Sequence, residues 1–524
     1  MLKQKRKNND VLIVDAAKGF AKEGKNYKLR DSDIKKIFDT VVARESVPRY
    51  SEVVPKEEIR KNEYNLNIAR YVNSSDPAES WDLYSSMFGG IPKSELDDLE
   101  EFWKAFPGLR SVLFADNGTP YVEPTVDDFA KAIGKHAEVQ SYTKQFSSAF
   151  ADFSPWLSGE LIDQMLTLNV ARQDSVIGEA IFERLAPLPL IDKYHAYQLL
   201  ADEWQQIAID LEILQTEGFE ASRVVEPNMV TKKKDDKEVE VQDGWKGRII
   251  PFDLVQRMHF KEERDALSEK GNRRAEIAAE LEEVIESLSE EDGEYGVLND
   301  ASDKFLVGEL NKEIKEQLSD VETDEIRTLN EYLAVLGAKA KKPQKQAFVT
   351  EHPEVNWSEI KPNKDGTYGK GSVNSYLAGL QSSFDFPEDT FAYKLLKASS
   401  LLQEDKTLKA EIKVNAAALH LKTKDAIENL NDDQVNELLD AKWILPLSES
   451  LHLLPAQQIE TLTSKLQALV EKYEVTYAEN AREIQRTESE LAGMINDLDG
   501  NEFDLKGLAE LKAFMEVTAN VKAN

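Results

Sequence analysis

The chain has 524 residues, 41% of them hydrophobic, and a formal net charge of -32 at pH 7, which is length enough for about two to four domains with buried cores. Its charge repels nucleic-acid phosphates on average, so any DNA contact needs a local basic patch or a partner subunit. The absence of cysteine excludes disulfides, thiolate zinc sites, iron–sulfur clusters and cysteine nucleophiles. No apolar run approaches the roughly 20 residues of a membrane-spanning helix. The basic start is followed by an apolar run that is too short for a signal segment and is interrupted by Asp15, so the expected location is cytoplasmic.

Residues 11–16 (VLIVDA) form a short apolar run bounded by Asn8, Asn9 and Asp10, which predicts a buried strand with no obvious sheet partner nearby. Asp31 is placed to cap a helix running to about Arg44, with Ile34, Ile37, Phe38, Val41 and Val42 on one face, stopped by Pro48. In Ser51–Asn73, Pro55 suits the first turn of a short helix and the Asn-rich continuation suits an ordered loop. From Asp76 the spacing is helical over Leu96–Phe106, Thr125–Ile133 and Gly159–Leu168. Ile181–Leu214 is aromatic-rich and amphipathic, broken by Pro187 and Pro189. Lys232–Lys237 (KKKDDK) reads as an exposed hairpin tip or loop. Glu262–Leu288 reads as a charged helix pairing with one neighbour through Ile277, Leu281, Val284, Ile285 and Leu288. Residues 340–376, with three prolines and the segment KDGTYGKGS, read as a loop-dominated insertion or linker. Ile459, Leu462, Leu466, Leu469 and Tyr473 predict one helix from about Ala456 to Leu498, roughly 60 Å long.

Chemistry-bearing motifs are missing. None of the six histidines has metal-ligand spacing, and no GxSxG, GxGxxG or GxxxxGK[ST] string occurs, so no metal, cofactor-binding or catalytic residue is assigned. Acidic pairs such as Asp97 with Asp98 lie in solvated charge runs.

In order, VLIVDAAKGF, KLRDSDIKKIFDTV and YSEVVPKEEIRKNEYNLNIARYV resemble the region just after the catalytic core of type I restriction-modification M subunits. IFERLAPLPLIDKYHAYQLLADEW, DLEILQTEGFEASRVVEPN and AAALHLKTKDAIENL resemble the C-terminal extension of the longer-tailed members. The resemblance implies S-adenosylmethionine-dependent methyl transfer to adenine N6 in the intact family enzyme, with a specificity (S) subunit, a restriction (R) subunit and DNA reached through the complex. The Gly-rich cofactor loop and the NPPF/Y-type loop that would hold a flipped adenine are both absent from these residues. The expectation is therefore a C-terminal part of an M subunit that binds no cofactor and methylates nothing alone, and that needs an N-terminal methyltransferase half, encoded separately where it is not fused.

The implied fold class is mainly α: the tail end of an α/β methyltransferase sheet, then a large helical region with long bundle or coiled-coil-like helices. The expected divisions are residues 1–75 (catalytic-domain remnant), 76–230 (helical), 231–340 (charged hairpin and long helices), 341–376 (loop-rich linker) and 377–524 (helical, for subunit assembly). Within NLNIARYV, Asn65, Asn67, Arg70 and Tyr71 are polar groups able to meet phosphate or to orient a loop beside the catalytic cleft; a capping role for the same loop is the competing reading. Two other functions stand against this one: a non-enzymatic acidic protein acting as an anti-restriction decoy or DNA mimic, and an intact enzyme of another type.

Overall fold

In a computed structural model that describes residues 9–75, 80–234, 237–495, 498 and 500–522, strand β1 (Val11–Val14) pairs antiparallel with β4 (Ser51–Val54), Val11 opposite Val54. The apolar run at the start therefore does have a sheet partner within the chain. The partner was hidden because SEVV runs directly into Pro55, whose ring ends the strand and opens helix α2 (Lys56–Lys61). Between them, β2 (Ala21–Glu23) and β3 (Asn26–Lys28) form a small hairpin, followed by helix α1 (Asp31–Ala43).

Helix α1 differs from its expectation in two ways. Its first turn is closed by Asp33, whose carboxylate accepts the Arg30 backbone N–H at 3.0 Å; Asp31 is already helical. Its polar face is the buried one: Ser32, Asp33 and Thr40 are inside, and the Ser32 amide donates to Gln198 Oε1 of the helix Lys193–Glu217. Ile34, Phe38 and Val42 are 52%, 62% and 67% exposed. The apolar stripe is present as read, but of its five residues Ile37 is half-buried and the other four are exposed.

The chain forms two units. One comprises Met1–Val224, Arg248–Ile250 and Leu430–Asn524, and the other Val225–Gly247 and Pro251–Asn429. The described structure is 65% helix and 9% strand.

In the first unit, Leu96, Phe106, Leu109, Leu113 and Ile133 gather with Leu462 and Leu466 in one buried cluster. The helices Val170–Leu185 and Lys193–Glu217 are separated by the segment holding Pro187 and Pro189, as their sequence predicts. They approach closely at Gly178, where a Cβ would lie 2.9 Å from the Tyr197 ring. The buried Asp210 carboxylate accepts from Lys442 Nζ and from Trp443 Nε1. The expected single C-terminal helix is two, Leu454–Glu474 and Tyr477–Ile495. Val475 is extended, and Thr476 and Glu479 exchange hydrogen bonds in a capping box that starts the second helix.

In the second unit, Val225–Lys234 and Lys237–Gly247 form the hairpin expected around KKKDDK, with Asp235 and Asp236 outside the described residues. Its base is fixed by His420, whose Nε2 accepts the Trp245 backbone N–H at 2.8 Å. Gly244 has φ +76, and a Cβ there would lie 2.7 Å from His420 Nε2. Gly244→Ala should therefore destabilise this unit by about 2 kcal/mol, from the left-handed backbone and the displaced imidazole together; an unchanged denaturation midpoint would refute that packing.

The charged helix Lys261–Glu286 pairs with a helix Phe391–Glu428. Cross-helix ion pairs join Lys270 to Glu411, Arg273 to Glu404 and Arg274 to Asp405. Val284, Leu395 and Ala398 belong to one apolar cluster, near one end of the pair. Within 340–376, where a loop-dominated stretch was expected, the helix Lys342–Glu351 begins with Pro343 in its first turn. Val355, Trp357, Ile360 and Val373 there pack with Tyr332 in a buried cluster. The prolines in this stretch start or flank elements and do not exclude them.

Candidate functional site

A cavity of about 370 Å³ lies in the first unit, walled by the stretch after β1, the start of α1, the turn before β4 and the start of the helix Lys193–Glu217. Lys18, Arg30, Lys36 and Arg49 line it against Asp15, Asp33 and Asp192, a cationic excess in a chain of net charge -32. Each carboxylate is engaged. Asp33 accepts from Arg30 Nε and Nη2 at 2.9 and 3.0 Å, and these hydrogen bonds hold its carboxyl below the usual range. Asp15 is likewise lowered by the Ser74 hydroxyl and the Ala17 amide. Asp192 caps its helix by accepting the Tyr194 amide.

Aromatic rings surround the cations. Lys36 Nζ lies 4.5 Å from the Tyr50 ring centroid and 5.5 Å from that of Tyr194. Burial raises both phenols above their ordinary value, with Asp39 adding to the shift at Tyr194. Arg49 is held at φ +60, a backbone region uncommon for a non-glycine residue. Its Nη2 donates to the Ser75 carbonyl.

The loop singled out in the sequence is not part of this cavity. Asn65 Oδ1 accepts the Asn67 amide, Asn67 Oδ1 accepts the Ala69 amide, and the Tyr71 hydroxyl donates to the Asn65 carbonyl. Tyr71 also packs on the small cluster of Ile13, Val54, Ile59 and Val72. Asn65, Asn67 and Arg70 are exposed. Three of the four side chains thus build the loop itself, and Arg70 faces solvent. The cavity residues were missed because they are scattered through the sequence. A local signal existed: residues 18–36 hold seven Lys or Arg against three acids.

S-adenosylmethionine, the methyl donor that the resemblance implies for the intact enzyme, does not fit these residues. Its sulfonium is cationic and the cavity wall is net positive. All strand pairs among the described residues are antiparallel, so they offer no crevice at the carboxyl ends of parallel strands. Among the described residues no group of three or more His, Asp or Glu is arranged to hold a metal ion, and no helix is long and apolar enough to cross a membrane.

Residues 1–80, which contain α1 and most of the cavity wall, match the N-6 DNA Methylase family model. Among curated relatives, the type I restriction enzyme MjaVII methylase subunit of Methanocaldococcus jannaschii is 34% identical over 104 residues, 19% of this chain and 18% of the relative. The MjaVIII methylase subunit of the same organism is 31% identical over 120 residues, 22% and 20% of the two chains. The MpnII methylase subunit of Mycoplasma pneumoniae is 28% identical over 81 residues, 16% and 15%. The similarity spans no more than 20% of the length of these relatives. No solved structure matches the chain.

Proposed function

We propose that this chain is the portion of a type I DNA adenine-N6 methyltransferase M subunit that follows the catalytic core, in the longer-tailed subgroup, and that it works by assembly. In this reading residues 1–75 complete a methyltransferase catalytic half that binds S-adenosylmethionine. The helical remainder joins the S and R subunits on DNA, and the loop of Asn65, Asn67, Arg70 and Tyr71 borders the catalytic cleft. The setting is the cytoplasm.

The observation that carries the proposal is the largely exposed apolar stripe of α1. It lies in the stretch that matches the methylase family. The described part of that stretch has a core cluster of only Ile13, Val54, Ile59 and Val72. Ile34, Phe38, Val42 and, beyond the helix, Tyr27, Tyr64 and Leu66 are exposed. An exposed apolar helix face such as that of α1 marks a binding surface, and a two-stranded ribbon is marginal without further packing. The test is to mix the chain with a separately expressed methyltransferase N-terminal half and a matching S subunit, and to follow tritiated methyl transfer to target DNA. Transfer that requires all three parts is the expected result; failure of the three to associate would sink the reading.

The acidic-mimic alternative requires unpaired carboxylates in rows at phosphate-like spacing. Along the helix pair of the second unit, Glu404, Asp405 and Glu411 are instead tied to Arg273, Arg274 and Lys270, which favours assembly over mimicry.

A further inference from the structure

We propose that the cavity between α1 and the start of the helix Lys193–Glu217 is a phosphate site, filled by a phosphodiester of nucleic acid or by a small phosphate-bearing ligand. Two lysines carry the argument. Lys36 rests on the Tyr50 and Tyr194 rings. Lys193, beside the cavity, lies 5.1 Å from the Tyr194 ring centroid and 4.8 Å from that of Phe182. An aromatic face attracts an ammonium through its quadrupole and leaves the N–H donors unspent. Neither ammonium makes a hydrogen bond or ion pair to a carboxylate among the described residues, whereas the neighbouring Lys35 is held by Asp39 and Glu179.

The acids of the cavity offset three of its four cations, Lys18, Arg30, Lys36 and Arg49, and leave an excess of one. Asp33 is occupied by Arg30, Asp15 by Ser74 and Ala17, and Asp192 by the helix start that it caps. What faces the space is the Lys36 ammonium, its N–H groups unspent, on the Tyr50 and Tyr194 rings beside Arg49; Lys193 stands outside the lining, over the same Tyr194 ring. The positive φ of Arg49 is a strained conformation, and strain of this kind is concentrated at ligand-binding positions. A tetrahedral dianion or a phosphodiester matches such a wall, because its oxygens accept from several ammonium and guanidinium donors together. The site is separate from the Asn65–Tyr71 loop and takes no part in methyl transfer.

The test uses the full chain and the variants Lys36→Gln, Lys193→Gln and Lys35→Gln. One arm measures anisotropy of a short labelled duplex over a salt series; the other measures the melting temperature with inorganic phosphate or pyrophosphate. In the duplex arm, Lys36→Gln and Lys193→Gln should each weaken binding about fivefold and make the log–log salt slope shallower by about 1, and Lys35→Gln should not. Stabilisation by pyrophosphate that both variants lose, with no duplex binding, would keep the site and assign it to a small ligand. No effect of either variant in either arm, or an equal effect of Lys35→Gln, would overturn the proposal. Lys193 is exposed, so its variant stays informative should Lys36→Gln disturb folding. Only the duplex arm rests on the reading of the chain as part of a DNA-modifying assembly, and neither arm requires reconstituted methyl transfer. A failure of that reading is thereby distinguishable from a failure of this one.

Discussion

The Asp210→Ala variant should lose about 3–5 kcal/mol of stability, the largest effect of any single substitution considered for this chain. Asp210 is 1% exposed. It accepts from Lys442 Nζ, from Trp443 Nε1 at 2.8 Å and from Gln206 Nε2 at 3.2 Å. Lys442 also donates to the Ile249 carbonyl at 2.7 Å, and Trp443 is fully buried. Removing the carboxylate leaves the indole N–H without its acceptor and the ammonium without its counter-charge, with only the Ile249 carbonyl left to it, so that much of their desolvation is then uncompensated. Calorimetry should show the melting temperature of that unit lowered by about 10 °C. Asp210→Asn, which keeps an acceptor for Trp443, should lose less. Asp210→Ala with Lys442→Met should recover part of the loss, because removing both charges removes the penalty with the pair. A double variant no more stable than Asp210→Ala would rule out this account.

Substituting Phe38 and Val42 by Asp should reduce reconstituted methyl transfer about 100-fold or more and leave the fold of the isolated chain intact. Both side chains are exposed on α1, 62% and 67%, so the isolated chain loses little packing with them. If the catalytic half covers them, each contributes roughly 1.5–3 kcal/mol to the complex, and a carboxylate in the same place adds a desolvation penalty. The informative pair of measurements is the melting temperature of the chain alone and the methyl-transfer rate of the mixture. Unchanged transfer would show that the stripe faces something else or nothing, and a collapsed melting temperature would show that the stripe is needed within the chain.

Helix was the readily legible part of this chain. The 3.6-residue spacing located α1, the helix that follows Pro187 and Pro189, and the charged helix Lys261–Glu286, whose main partner is the helix Phe391–Glu428 while Val297, Phe305 and Leu310 also share its apolar cluster. Periodicity gives a helix an apolar side but does not say what covers it, and α1 buries the opposite side. Strand β4 escaped notice because a four-residue run beside a proline gives little signal. The break at Val475 could have been found, since Thr476 and Glu479 have the capping-box spacing within an otherwise continuous pattern. The cavity showed locally only as the basic stretch 18–36, because Asp15, Lys36, Arg49 and Tyr194 meet only through tertiary packing. The loop Asn65–Tyr71 drew attention for its polar composition, and most of that composition is used in turns.

The helix pair of the second unit has a mechanical consequence. Toward one end Val284, Leu395 and Ala398 belong to an apolar cluster, and toward the other Lys422 is paired with Glu263. Between them run the ion pairs of Arg273, Arg274 and Lys270 with their carboxylates, and on the same two helices Ile277 and Leu401 are buried. Contacts between partly exposed charges weaken as the screening length shortens, from about 10 Å at 0.1 M salt to about 3 Å at 1 M, and apolar burial does not weaken in the same way. The pair therefore behaves as a strut that loses the ionic part of its stiffness as salt rises and keeps the part held by its buried apolar side chains, so that the salt of the surroundings tunes its compliance without unfolding it.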